Sequence, residues 1–201
     1  MQNFNQLAQV AAWLNHAAVH EPFLVALDGP SAAGKSTLAR GLAAMLPRCQ
    51  VVAGDDFYRV LAPDDRAALT AEAGYDQYFD WQRLAAQVLW PLREGRPARY
   101  QAYDWDQNAL GVWKEVKPEG VIVVEGVYSA RPELAGYYDA VIYVDAPLER
   151  RMQIQRDRGD APEWIERWAA AEAYYMRTHA PRERADAVFA AVCRRAVLST
   201  K

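Results

Sequence analysis

Residues 23–37 read Phe-Leu-Val-Ala-Leu-Asp-Gly-Pro-Ser-Ala-Ala-Gly-Lys-Ser-Thr. An apolar strand pattern runs into a GxxxxGK[ST] loop, and a helix pattern follows. Glycines in such a loop allow the backbone to turn so that successive N–H groups aim at phosphate oxygens, and the following helix adds the positive end of its dipole. The motif therefore predicts a triphosphate site built from Gly29, Ser31, Ala32, Ala33, Gly34, Lys35, Ser36 and Thr37. Lys35 is expected to reach the β- and γ-phosphates, Ser36 to ligate Mg²⁺ and Thr37 to meet a further phosphate oxygen. A nucleoside triphosphate, with ATP taken as the cofactor and GTP left open by the motif, and Mg²⁺ are expected.

The chain around this loop has 201 residues, 52% of them hydrophobic and 24% charged, which predicts one α/β domain over 1–201. A net charge of −3 gives no general attraction to nucleic acid or to an anionic membrane, so neither is expected as a partner. Two cysteines, Cys49 and Cys193, lack disulfide or metal-ligand spacing and read as packing residues of a protein in a reducing compartment. With no apolar run of membrane length and no leader pattern, a cytoplasmic protein is expected.

Outward from the loop, residues 3–20 read as an amphipathic helix, 35–46 as a helix ended by Pro47, and 49–53 as a second strand. Residues 63–78 read as a mobile acceptor loop. A helical face follows from Trp81 to near Pro91, and then a hairpin over 98–105 and 112–116 with its turn at 108–111. This span, about 63–117, is expected to be a small acceptor-side insertion. The continuous apolar runs 121–124 and 140–144 predict strands covered on both faces, in a mainly parallel sheet of about five strands flanked by helices. A helix from Pro162 to about Thr178, with Trp164, Ile165, Trp168, Ala171 and Tyr175 facing inward, precedes a last strand near 186–192.

In an open parallel sheet, ligands lie beyond the carboxyl ends of the strands. Three predicted strands end in acids there, at Asp28, at Asp55-Asp56 and at Glu125, and all are expected at the mouth of the loop.

The phosphate loop, then Asp55-Asp56-Phe57-Tyr58, then Val124-Glu125-Gly126-Val127-Tyr128, in this order and spacing, resembles the uridine kinase and phosphoribulokinase family. Tyr75-Asp76, Tyr103-Asp104-Trp105 and Val144-Asp145-Ala146 before an arginine run extend the resemblance over most of 23–192. It implies a P-loop kinase fold with a lid over about 147–161. Asp55 would orient the acceptor hydroxyl, take its proton and stand near the metal, with Glu125 beside the Mg²⁺. From the lid, Arg150, Arg151, Arg156 and Arg158 would clamp phosphates, for which planar forked donors are suited. Arg151 and Arg158, seven residues apart, would share a side of the lid helix.

On the acceptor side the resemblance implies Tyr58, Asp76 against ribose hydroxyls, and Tyr103 against a base. A histidine common in uridine kinases after the Tyr-Asp-Phe element has no counterpart in Tyr103-Asp104-Trp105-Asp106-Gln107-Asn108. The aromatics Tyr75, Tyr78, Phe79, Trp81, Tyr103, Trp105 and Trp113 could line a base or pantothenate-like pocket, or form ordinary core. The expected reaction is transfer of the ATP γ-phosphate to a small-molecule hydroxyl, first of all the 5′-hydroxyl of a nucleoside. Pantothenate, a sugar phosphate or another metabolite is the alternative acceptor, and a regulatory P-loop ATPase the alternative class. An oligomer is compatible with the sequence.

Overall fold

In the computed structural model, residues 1–159 and 162–190 are described. The chain opens with a short strand β1 (Gln2–Phe4), and helix α1 spans Leu7–Ala17. Where one helix over 3–20 was expected, the first residues instead pair in parallel with a strand at the other end of the chain. Three residues are too few for a period-2 pattern to show against the helical pattern beside it.

Strand β2 (Phe23–Asp28) is buried along its whole length and feeds the phosphate loop and α2 (Lys35–Met45). After β3 (Gln50–Ala53), a 3₁₀ turn over Gly54–Phe57 carries the paired aspartates. The expected acceptor loop holds two short helices, α3 (Pro63–Ala67) and α4 (Ala71–Gln77). A helical rod follows: α5 (Trp81–Leu84), a π-helical turn over Ala85–Leu89, and α6 (Trp90–Arg93). It continues through Pro91, because the wide turn resets the hydrogen-bond register and leaves the proline in the first turn of α6, where a missing N–H costs little.

Strands β4 (Ala98–Asp104) and β5 (Ala109–Val116) form the antiparallel hairpin, whose turn falls at 105–108 rather than at 108–111. Then come β6 (Val121–Glu125), a 3₁₀ turn over Pro132–Tyr137, β7 (Ala140–Asp145), α7 (Leu148–Arg158), α8 (Pro162–His179) and β8 (Ala187–Ala190). Residues 160 and 161 of the expected lid, Cys193, and the end of the expected last strand lie outside the described residues.

The main sheet has the order β1-β8-β7-β2-β6-β3, with every pair parallel, so it is six strands wide where about five were expected. On one face, Val10, Leu14, Leu38 and Leu42 of α1 and α2 pack on Val25, Leu27 and Val123. On the other, Leu84, Val88 and Leu92 of the rod meet Leu24, Ile122 and Val124. Both faces are therefore covered, which explains the unbroken apolar strands. The rod within 63–117 is one of the covering layers, while the hairpin beside it reaches toward the strand ends. Because β3 and β7 lie on opposite sides of β2, the chain reverses its direction of winding at β2. A crevice opens there.

Candidate active site

A cavity of about 510 Å³ occupies that crevice, lined by the phosphate loop, by α2 and by aromatic residues. Ser31, Ala32, Gly34, Lys35, Ser36 and Thr37 all face it. Gly29 and Ala33, also expected there, are buried behind them and shape the loop. Gly29 has φ +142°, and a Cβ at this position would lie 2.3 Å from the carbonyl oxygen of Val144. Lys35 Nζ donates to the carbonyls of Gly29 and Pro30, 2.9 Å each, so the ammonium lies folded over the loop. Its burial lowers the pKa, opposed in turn by the negative charges of Asp28, Glu172, Glu125 and Asp55.

Of the three strand-end acids expected at the mouth, only Asp55 and Glu125 open onto the cavity. Asp28 is fully buried and accepts hydrogen bonds from the backbone N–H of Gly29 and Ala130 and from the Tyr175 hydroxyl. Burial raises its pKa, and those hydrogen bonds pull it back. It is a fastening beneath the loop. Asp56 also turns away, toward the hairpin, where the Lys114 ammonium stands 2.8 Å from it and the Tyr100 hydroxyl donates at 3.0 Å.

Asp55 and Glu125 are brought together by two glycines. A Cβ on Gly54 would fall 2.9 Å from the Glu125 carbonyl oxygen, and one on Gly126 would fall 3.1 Å from the Gly54 Cα. Only bare backbone allows β3 and β6 to end this close. Asp55 is an exposed residue at the cavity wall. Desolvation raises its pKa, Lys35 and Arg158 lower it, and Asp56 adds to the rise. Glu125 is likewise raised by burial and by Asp55, and lowered by Lys35 and by a hydrogen bond with Ser36.

Two carboxylates and a hydroxyl on one wall, with one acid raising the other, form a hard oxygen donor set that a divalent cation would relieve. That chemistry suits Mg²⁺, which keeps several waters and takes one or two carboxylates together with phosphate oxygens. Among the described residues, no group of three or more His, Cys, Asp or Glu forms a metal cage of protein side chains alone.

Tyr58, Trp105, Trp164 and Trp168 make an aromatic wall that meets the phosphate loop at Trp168. Tyr58 is its hub, with ring centroids 4.7 Å from Trp105, 5.3 Å from Tyr103 and 6.1 Å from Trp164 and Trp168. Tyr103 is buried behind this wall, donating from its hydroxyl to Asn108 Oδ1 at 2.6 Å. Asp76 is not in the cavity. Its neighbour Tyr75 takes the inward position on α4, stacked on Tyr175, so the helix turns Asp76 out to 60% exposure beside Arg131. Phe79 and Trp81 also go to the core, and Trp113 lies outside the hairpin under Arg99.

The lid arginines divide. Arg158 faces the cavity. Arg151 and Arg156 line a second, more apolar cavity of about 910 Å³ between α7, α8 and Pro30. Arg150, engaged in an interaction of its own, lines neither. Arg151 and Arg158 share a helical side as expected, but seven residues of rise separate them by about 10 Å, so that one stripe spans both chambers. Gln155 lines both chambers between them. Arg156 lies off that stripe, donating to Gln153.

Two residues that hold the phosphate loop were not anticipated. Glu172 Oε2 accepts the backbone N–H of Ser31 at 2.8 Å, and Trp168 Nε1 donates to Ser31 Oγ at 2.6 Å. The helical spacing of α8 marked its inward face, but nothing local says that this face lies on the phosphate loop.

No helix among the described residues is long and apolar enough to cross a membrane. The family model described as phosphoribulokinase / uridine kinase matches residues 24–197. A pantothenate kinase of Clavibacter sepedonicus is 32% identical over 154 residues, covering 68% of this chain and 47% of that one. Uridine-cytidine kinase-like 1 of Mus musculus is 29% identical over 160 residues, covering 75% of this chain and 29% of that one. The chain thus spans half or less of the length of these curated relatives. Among solved structures, one described as a possible uridine kinase from Bacillus stearothermophilus superposes with a TM-score of 0.72 at 24% identity, over 91% of this chain and 96% of that one.

Proposed function

Since the chain belongs to the phosphoribulokinase / uridine kinase family, we propose that it transfers the γ-phosphate of ATP to a hydroxyl of a neutral small molecule, with a nucleoside such as uridine or cytidine as the favoured acceptor. The observation that carries this reading is the shared cavity: the phosphate loop and Asp55 line the same space. In the reaction so read, the acceptor oxygen attacks the γ-phosphorus while Asp55 takes its proton, the bond from phosphorus to the bridging oxygen breaks, and ADP leaves. Lys35 and the loop N–H groups hold the β- and γ-phosphates, and Arg158 meets the charge that develops on the transferred group. Bound at Ser36 with Glu125 and Asp55 beside it, Mg²⁺ would supply positive charge across the phosphates.

The acceptor preference rests on charge and shape. The cations lining the cavity, Lys35, Arg40 and Arg158, belong to α2 and to the lid, and the wall around Tyr58 is aromatic. Arg66, which lies over Tyr58, is tied to Leu61, Tyr103 and Asn108. Arg83, Arg93, Arg96 and Arg99, the other arginines of the acceptor-side span, are all bound elsewhere. A planar, uncharged body suits such a wall better than a sugar phosphate. Pantothenate is the second reading, favoured by the names of the curated relatives with the higher identity.

ADP release against a panel of uridine, cytidine, pantothenate and a sugar phosphate, with product mass locating the phosphate, tests both. The first reading expects turnover with a nucleoside. Turnover with pantothenate alone would replace it with the second.

A further inference from the structure

The phosphate loop holds an anion of the protein's own, and it is a side chain. Glu172, 7% exposed on α8, accepts the Ser31 N–H through Oε2 and meets Arg151 of α7 through Oε1, 3.2 Å from the guanidinium. It thus ties together two groups that a triphosphate would need: a donor of the loop and a cation of the lid. Arg151 is itself only partly satisfied, since its Nε is buried with no hydrogen-bond partner.

The charges around the loop are lopsided. Asp28, Glu172, Glu125 and Asp55 all act on one ammonium, Lys35. Asp28 is locked in its own hydrogen bonds beneath the loop, whereas Asp55 and Glu125 are the acids placed for the acceptor and the metal. Glu172 alone of the four joins the loop to the lid helix.

Resting on the kinase reading above, we propose that Glu172 is a positioning residue that stands in for phosphate: it holds Ser31 and Arg151 until a triphosphate arrives and yields both to it. A polyphosphate carries more charge than one carboxylate and outcompetes it for the amide and the guanidinium. Displacement frees Arg151, which lies on the same helical stripe as Arg158, to turn toward the phosphates. Loading the loop and freeing this arginine become one event.

Glu172→Gln tests this, because the amide oxygen can still accept the Ser31 N–H, while the charge that competes with phosphate is gone. Titration of the wild type and the variant with Mg²⁺ and a non-hydrolysable ATP analogue is expected to show binding about five- to tenfold tighter in the variant, with a lower KM for ATP and a kcat that does not rise. Glu172→Ala should bind more tightly as well. A mere scaffold predicts the opposite pattern: wild-type affinity in Glu172→Gln and weaker binding in Glu172→Ala. Equal or weaker binding by Glu172→Gln would overturn the proposal. Absence of analogue binding by both proteins would overturn the nucleotide reading itself, and this inference with it.

Discussion

The two halves of the cavity are made differently. The phosphate half is mostly backbone: one stretch of chain from Asp28 to Thr37 shapes the loop, and its amides come in sequence order. The half proposed for the acceptor is made of side chains from three separated places, Tyr58 after β3, Trp105 in the hairpin turn, and Trp164 and Trp168 on α8. A contiguous loop can be read from the chain and varies little in what it binds. A wall assembled from distant elements can be rebuilt one residue at a time, and such a wall is where a kinase fold changes its acceptor.

The sharpest break of this contrast is expected at the phosphate half. Lys35→Ala should lower acceptor-dependent turnover by about two to three orders of magnitude and weaken ATP binding, measured as kcat/KM for ATP and by direct titration. Loss of acceptor affinity alone would mean that the halves are not divided as described. Next in size is Arg158→Ala, where kcat should fall about 30-fold with little change in the acceptor KM, and by more than in Arg156→Ala, because Arg158 faces the cavity and Arg156 the second chamber.

Trp105→Ala should act on the other half, raising the acceptor KM about tenfold while the ATP KM stays within about twofold. The smallest effect is a narrowing of the pH profile. Asp55 must be deprotonated to accept a proton, and its pKa lies above the ordinary 3.8, so the rise of activity on the acid side should come at higher pH than for a free aspartate. Lys35 must be charged, and its pKa lies below the ordinary 10.5, so activity should fall on the alkaline side before a free lysine would titrate. Profiles of kcat/KM against pH check both limbs.

Legibility in the sequence followed the same division. The loop, β2, α2, and the placing of Asp55 and Glu125 at strand ends could be read because each rests on contiguous pattern. Asp28 and Asp56 could not be told from Asp55 by position, since what separates them is which neighbour reaches them first: Tyr175 and Ala130 for one, Lys114 and Tyr100 for the other. Asp76 followed its helix outward once Tyr75 took the core position. Glu172 and Trp168 gave no local signal, as their task depends on α8 lying against a loop some 140 residues earlier. The first strand was hidden because its partner, β8, stands at the far end of the described chain.

The central claim is that Asp55 and the phosphate loop serve one transfer across one cavity. Asp55→Asn, assayed for ADP release with and without acceptor beside direct titration with an ATP analogue, tests it most directly. The account predicts that acceptor-dependent turnover falls about a thousandfold while analogue binding persists. Brisk ATP hydrolysis without any acceptor, unchanged by the substitution, would contradict it.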